Sequence, residues 1–335
     1  MLLLERIPSA IISNTASRMR CAPTPNSCTG AGADVVRERF QPEKDKCVVR
    51  SECFLIVGII KPCPLFLPVG GNGVHSPDFG IFSMQDTLIV QSHRSPLPWP
   101  WIERCLESVR DWCAKRRYDY RFMGDELFDC VPDSLLEKTS KQRVVATDLA
   151  RLLILQKALN ENYKTVIWLD ADFLIFDAAA FVIPDLDHAV GREVWVQHDR
   201  HGKLKVFRKV HNAFLMFGAN NSFLDFYTDT AKRLLSLNHG TMPAQYIGPK
   251  LLTALHNVAI LPVLENAGML SPLVCKDIIR GGGAALDLFI EHSPQSVAAA
   301  NLCVSSCERN EVTASEMEQV IDALLNNTVQ FQRTR

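Results

Sequence analysis

The chain has 335 residues, 47% of them hydrophobic, and a formal net charge of −1. That length and apolar content can bury one large core or two ordinary ones. So small a net charge creates no overall field to gather nucleic acid or an anionic surface, so a nucleic-acid role is excluded and a small-molecule partner is expected.

Residues 1–80 mix Pro, Gly, Ser and Cys with scattered charge and no lasting period, as in Cys21-Ala22-Pro23-Thr24-Pro25. They read as a poorly ordered leader with one short strand or helix near residues 54–60. Met1 to Leu4 is followed at once by Glu5 and Arg6, so no signal peptide is expected. The apolar stretch at 54–69 is broken by Lys61, Pro62, Pro64 and Pro68, which argues against a membrane span. Eleven cysteines with no Cys-x-x-Cys pair suit neither a zinc ribbon nor a disulfide framework. An odd total leans towards free thiols and a reducing compartment. The expected location is cytoplasmic, at most peripheral to a membrane. The sequons at Asn220 and Asn326, of a kind common by chance, leave a secretory lumen as the alternative.

From Asp86 the texture changes. Thr87-Leu88-Ile89-Val90-Gln91-Ser92 predicts the first strand of a nucleotide-binding α/β unit, residues 101–116 carry apolar positions at helical spacing, and 118–123 predict a second strand. Residues 144–159 predict a helix apolar nearly all round, hence buried. Asp148 and Arg151 lie within it three apart, on neighbouring positions of one face. They form either an internal ion pair or a charged pair aimed into a ligand site.

The run Thr165-Val166-Ile167-Trp168-Leu169 then predicts a strand covered on both faces, and Asp170 and Asp172 end it. Two residues apart on an extended backbone, both carboxylates would leave the same face while Ala171 points away. Burying an unpaired carboxylate costs several kcal/mol, so a cation should offset the pair, most directly a bound metal. Hard oxygen ligands without a Cys or His cluster favour Mg2+ or Mn2+, with phosphate as the ion's other partner.

Ala146-Thr147-Asp148-Leu149-Ala150-Arg151-Leu152, followed after a turn by Val166-Ile167-Trp168-Leu169-Asp170-Ala171-Asp172, resembles the core of GT-A fold glycosyltransferases. The likeness is greatest to retaining galactosyltransferases of lipopolysaccharide synthesis and mannosyltransferases related to capsular polysaccharide enzymes. The resemblance extends over roughly residues 86–310. His211-Asn212-Ala213-Phe214 resembles that family's strand with an early Asn, Tyr246-Ile247-Gly248-Pro249-Lys250 its Gly-Pro segment opening a helix, and Glu291-His292-Ser293-Pro294 its C-terminal His segment. A Gly-Gly pair before the acidic strand and a Trp after the terminal His, both usual there, are missing.

The resemblance implies a Rossmann-like α/β GT-A fold, a central mixed sheet flanked by helices, over 86–310, with a C-terminal helix near 314–325 in the tail 311–335. It implies Asp170 and Asp172 holding Mn2+ or Mg2+ against a diphosphate, with His292 as third ligand. Asp148, Arg151, Asn212, Gly248 and Lys250 would then line the donor site, and Gln245 would lie beneath the sugar. The expected activity is hexose transfer from a UDP- or GDP-sugar to a glycan or lipid-linked acceptor. No Glu or Asp stands out as a general base, which favours retention. The alternatives are a haloacid-dehalogenase-like phosphatase, whose pattern Leu174 breaks, and a catalytically silent sugar-nucleotide-binding protein. The transferase reading requires both carboxylates to face a cavity, with Arg151 and His292 near them.

Overall fold

The structure, a computed structural model, describes residues 85–219, 221–329 and 331. The predicted leader, with its element near 54–60 and its apolar stretch, lies outside the described residues.

In chain order the elements are β1 (Gln85–Ser92), α1 (Pro100–Arg116), β2 (Asp119–Met123), a 3-10 turn (Asp125–Cys130), α2 (Asp133–Thr139), α3 (Arg143–Asn160), β3 (Tyr163–Leu169), β4 (Phe173–Ile175), β5 (His188–His198), β6 (Leu204–Gly218) and α4 (Ser222–Leu237). There follow α5 (Pro249–Ala259), β7 (Val263–Leu264), β8 (Ala267–Met269), α6 (Pro272–Arg280), α7 (Ala284–His292), β9 (Ala299–Asn301), α8 (Val304–Glu308) and α9 (Ala314–Leu325). Among the described residues no helix is long and apolar enough to cross a membrane.

The fold is mixed α/β, as predicted. A six-stranded sheet runs in the order β2-β1-β3-β6-β5-β7, with β1 parallel to both β2 and β3 and β6 antiparallel to β3 and β5. Alternation along β3 sends Val166 and Trp168 into one core with Val145, Leu149 and Leu152 of α3, and Ile167 and Leu169 into another with Trp112 and Phe181. Both faces of this strand are therefore dry, as its unbroken apolar run demands. A third core lies under a small sheet, β4-β9-β8, and takes in Trp101 and Leu106 of α1, Val274 and Ile278 of α6, and Met317, Val320 and Ile321 of α9.

β1 has β2 on one side and β3 on the other, so the chain reverses its direction of winding there. The first crossover helix, α1, and the second, α3, contribute to different cores. Such a reversal leaves a crevice at the carboxyl ends of the parallel strands, where neighbouring loops diverge.

One local expectation is corrected. The acidic pair does not ride on an extended strand. β3 stops at Leu169, and the Phe173 amide donates to the Asp170 carbonyl at 3.0 Å, closing a turn over Ala171 and Asp172. After it the chain joins the small sheet as β4. What brings the two carboxylates to one crevice is this turn, because the small sheet offers β4 a partner that the large sheet does not.

Candidate functional site

A cleft of about 410 Å³ opens at that switch point. Its walls are the residues just past each parallel strand: Ser92, His93 and Arg94 after β1, Gly124 and Asp125 after β2, and Asp170, Ala171 and Asp172 after β3. α3 supplies Arg143, Thr147 and Arg151, and Val304 and Glu308 of α8 close the far side.

Asp170 is the more accessible carboxylate, with its side chain 29% exposed. Its Oδ1 accepts from Trp168 Nε1 at 2.7 Å and pairs with Arg151 at 3.1 Å. The cation nearest this carboxylate is therefore a guanidinium. Asp172 is buried: its Oδ1 accepts from Asn301 Nδ2 at 2.7 Å and its Oδ2 from the Val304 amide at 2.6 Å. Each oxygen keeps a further lone pair. Burial, and then the Asp170 charge, push the Asp172 carboxyl up to about 6, against the amide and Asn301 bonds that favour its ionised form.

Behind Arg151 lies a buried polar cluster. Arg151 donates to the Asn212 carbonyl at 2.7 Å and pairs with Asp148 Oδ1 at 3.3 Å, and Asn212 Nδ2 donates to the same Asp148 oxygen at 2.7 Å. Asp148 Oδ2 is buried with no hydrogen-bond partner. Burial raises the Asp148 carboxyl to about 6, although Arg151 and Asn212 oppose the shift. Gly248 abuts this cluster: a Cβ there would stand 2.5 Å from Asp148 Oδ2 and 2.7 Å from Asn212 Nδ2. Only a residue without a side chain lets α5 begin so close. His211, one residue upstream, is held neutral by burial, its pKa depressed to about 4, and its Nδ1 accepts from the Ala213 amide at 3.0 Å.

No protein-family model matches the sequence. No curated protein matches it either. Two of the solved structures that resemble the fold are these. One is a glycosyltransferase involved in the glycosylation of the major capsid of PBCV-1, at 13% identity and a TM-score of 0.39, covering 69% of this chain and 98% of that one. The other is 4-diphosphocytidyl-2C-methyl-D-erythritol synthase from Anaerococcus prevotii, at 8% identity and a TM-score of 0.27, covering 53% of this chain and 87% of that one. At such scores the likeness carries no assignment of activity.

Of the residues singled out from sequence, Asp170, Asp172 and Arg151 line one cleft, and Asp148, Asn212 and Gly248 stand behind Arg151 as its support. Asp148 with Arg151 is thus neither purely internal nor purely exposed. The acid is buried and the guanidinium reaches the cleft. The other singled-out residues lie elsewhere. His292 ends α7 with Nδ1 against the Leu288 carbonyl at 3.0 Å and does not line the cleft. Among the described residues no group of three or more His, Cys, Asp or Glu side chains could hold a metal, so the predicted three-ligand set is not assembled. The reason is topological: β9 reaches Asp172 with its last residue, Asn301, whereas His292 precedes that strand. Gln245 and Lys250 are exposed residues beside the start of α5 and are likewise outside the cleft. Finally, two further carboxylates, Asp125 and Glu308, do stand in the cleft, where none was expected.

Ser92, His93, Arg94, Arg143, Thr147 and Glu308 were missed. The first three were legible as the polar residues ending a predicted strand of a nucleotide-binding unit. Arg143 and Thr147 share a helix face with Arg151 at four-residue intervals. Nothing local marks Glu308, which arrives from the C-terminal third of the chain.

Proposed function

We propose that the cleft binds a nucleotide-diphosphate sugar and that the protein is a metal-dependent glycosyltransferase of the GT-A kind, moving a hexose from a UDP- or GDP-sugar to a glycan or lipid-linked acceptor. His292 does not meet the requirement set for it, so the reading rests on Arg151 and, above all, on the position of the acidic pair. Asp170 and Asp172 meet at the carboxyl end of β3, in a crevice bounded by the ends of β1 and β2, where open α/β sheets take their ligands.

The donor set fits a hard divalent ion. Among the described residues Asp170 Oδ2 has no hydrogen bond, and Asp172 has lone pairs to spare. Asp148 and Asp170 share one guanidinium, Arg151, and Asp172 adds its charge beside them, so this cluster carries an excess of negative charge when all three ionise. Mg2+ or Mn2+ held by only two carboxylates keeps most of its positions for water and phosphate. Once bound, such an ion supplies Lewis-acid stabilisation of charge on a departing diphosphate. The chain's own contribution is positioning. Arg151, fixed by the Asn212 carbonyl and Asp148, presents its guanidinium to the same negative charge, and Trp168 orients Asp170. Arg94, just past β1, and Arg143, on the same face of α3 as Arg151, add cationic groups to the walls. Asp125 and Glu308 are candidate bases, so retention and inversion are separated by the anomeric configuration of the product rather than by want of an acid.

Thermal melts of the full chain with UDP- and GDP-sugars, with and without Mn2+, test the proposal. A rise in Tm that needs both nucleotide and Mn2+, and that is lost in Asp170→Asn, is expected. If no nucleotide sugar shifts the native protein, or if it releases phosphate from simple monoesters instead, the reading falls.

A further inference from the structure

The charge of −1 hides an uneven distribution. β5 and β6 form a long hairpin that runs past the rest of the sheet: β7 pairs with β5 only at Val190 and Gly191, and β3 pairs with β6 only from Phe214 onward. In the free part, residues 193–209, five Lys and Arg accompany two carboxylates. One of these, Asp199, is consumed by the turn, where it accepts from the His201 and Lys203 amides at 2.8 and 3.0 Å.

Register decides what this ribbon shows to solvent. Val194 and Val196 of β5, with Leu204 and Val206 of β6, turn inward to the third core. The opposite face therefore carries the cross-strand pairs Glu193 with Lys209, Trp195 with Phe207, and Gln197 with Lys205. Trp195 and Phe207 stand at its centre, neither of them buried, and the Lys205 and Lys209 ammonium groups lie 4.9 and 5.6 Å from the Phe207 ring centroid. Arg200 and Lys203 project at the exposed tip. Beside Trp195 a cavity of about 550 Å³ is lined further by Lys276 and by Arg309, the latter paired with Glu311 at 2.8 Å.

We propose that this outer face of the β5–β6 hairpin docks on an anionic phospholipid bilayer. Indole and phenyl rings flanked by lysines match the chemistry of a headgroup layer: the rings sit at its apolar boundary while ammonium groups reach lipid phosphates. Each surface Lys or Arg adds to the attraction of an anionic leaflet, and aromatic rings at the centre fit a bilayer better than a duplex backbone. Arg309 and Asn310 line the cavity beside the hairpin, whereas Glu308 lines the cleft, so the two openings lie on either side of one short turn. The docking itself does not depend on what the cleft catalyses.

The test is sedimentation of the full-length protein with vesicles of phosphatidylcholine alone and of phosphatidylcholine with 30% phosphatidylserine. Binding to the second kind only, weakening as salt rises, is expected. Lys203→Gln with Lys205→Gln should reduce it about thirtyfold, at the usual contribution of surface cations. Both side chains are exposed, and an unchanged melt will show that the fold persists. Brominated lipids should quench part of the tryptophan fluorescence, and Trp195→Phe should abolish that part. Absence of binding to anionic vesicles overturns the proposal. So does binding that the double variant leaves intact, which would place it elsewhere in the chain, or retention on RNA or heparin without retention on vesicles.

Discussion

Asp148 bears the largest unreturned cost in the cleft's support. Its Oδ2 is buried without a partner, and its carboxyl titrates near 6 against an ordinary 3.8. A raised carboxyl pKa means the folded state holds its proton more tightly than the unfolded chain does. Its effect on stability is thus nil below about 4, falls as pH rises from there to about 6, and is fully unfavourable above that. His211 works in the opposite sense, because its depressed pKa makes folding less favourable as pH drops below 6.5. The two are separated by comparing Asp148→Asn with the native protein, since His211 is common to both. Relative to native, the variant should lose about 1.4 kcal/mol more at pH 5 than at pH 7.5, measured by urea unfolding. A difference independent of pH would mean that Asp148 is not the titrating group. Asp172 has the same sign, so stabilisation by Mn2+ with nucleotide should be full at pH 7.5 and fade as pH falls through about 6, where the proton competes for the carboxylate.

α3 is the element that joins core to cleft. One face carries Val145, Leu149 and Leu152 into the main core. Another delivers Arg143, Thr147 and Arg151 to the cleft at successive turns. The two faces should fail differently. Arg143 sits over the Phe128 ring at 4.3 Å and pairs with Asp125 at 2.9 Å, both at the surface. Arg143→Ala should cost under about 0.5 kcal/mol of stability, while lowering nucleotide affinity several-fold. Leu152→Ala should cost about 2–5 kcal/mol and leave the affinity of the remaining folded protein unchanged. Melts and nucleotide titrations on the two variants check both statements. The helix was readable from sequence because its apolar positions repeat. Which of its charged residues would reach a ligand was not, because that depends on where β1 and β2 end beside it.

At the scale of the whole molecule, the C-terminal helix is part of the core. Thr313 caps α9 through a capping box with Glu316, and Met317, Val320, Ile321 and Leu324 are fully buried beside Trp101 and Leu106 of α1. Four such side chains bury roughly 6–12 kcal/mol of transfer free energy, comparable to the whole stability of a domain. Deleting residues 311–335 should therefore leave a chain that aggregates or lacks a cooperative melt, as light scattering and calorimetry would show. The overall charge balance predicted no general polyanion binder, and it had no bearing on a ribbon whose cations gather by cross-strand register. Sequence alone determined the β1-α1-β2 and α3-β3 units, the burial of β3 on both faces, and the place of an acidic pair just past the end of β3, because periodicity and unbroken apolar runs are local; the turn that brings the two carboxylates together came from the small sheet. Only the tertiary structure decided that Arg151, rather than His292, stands beside Asp170, that Asn301 and Val304 grip Asp172, and that Glu308 enters the cleft. Those contacts join segments up to 132 residues apart, and which distant segment reaches a site is fixed by sheet order and packing, which no local spacing encodes.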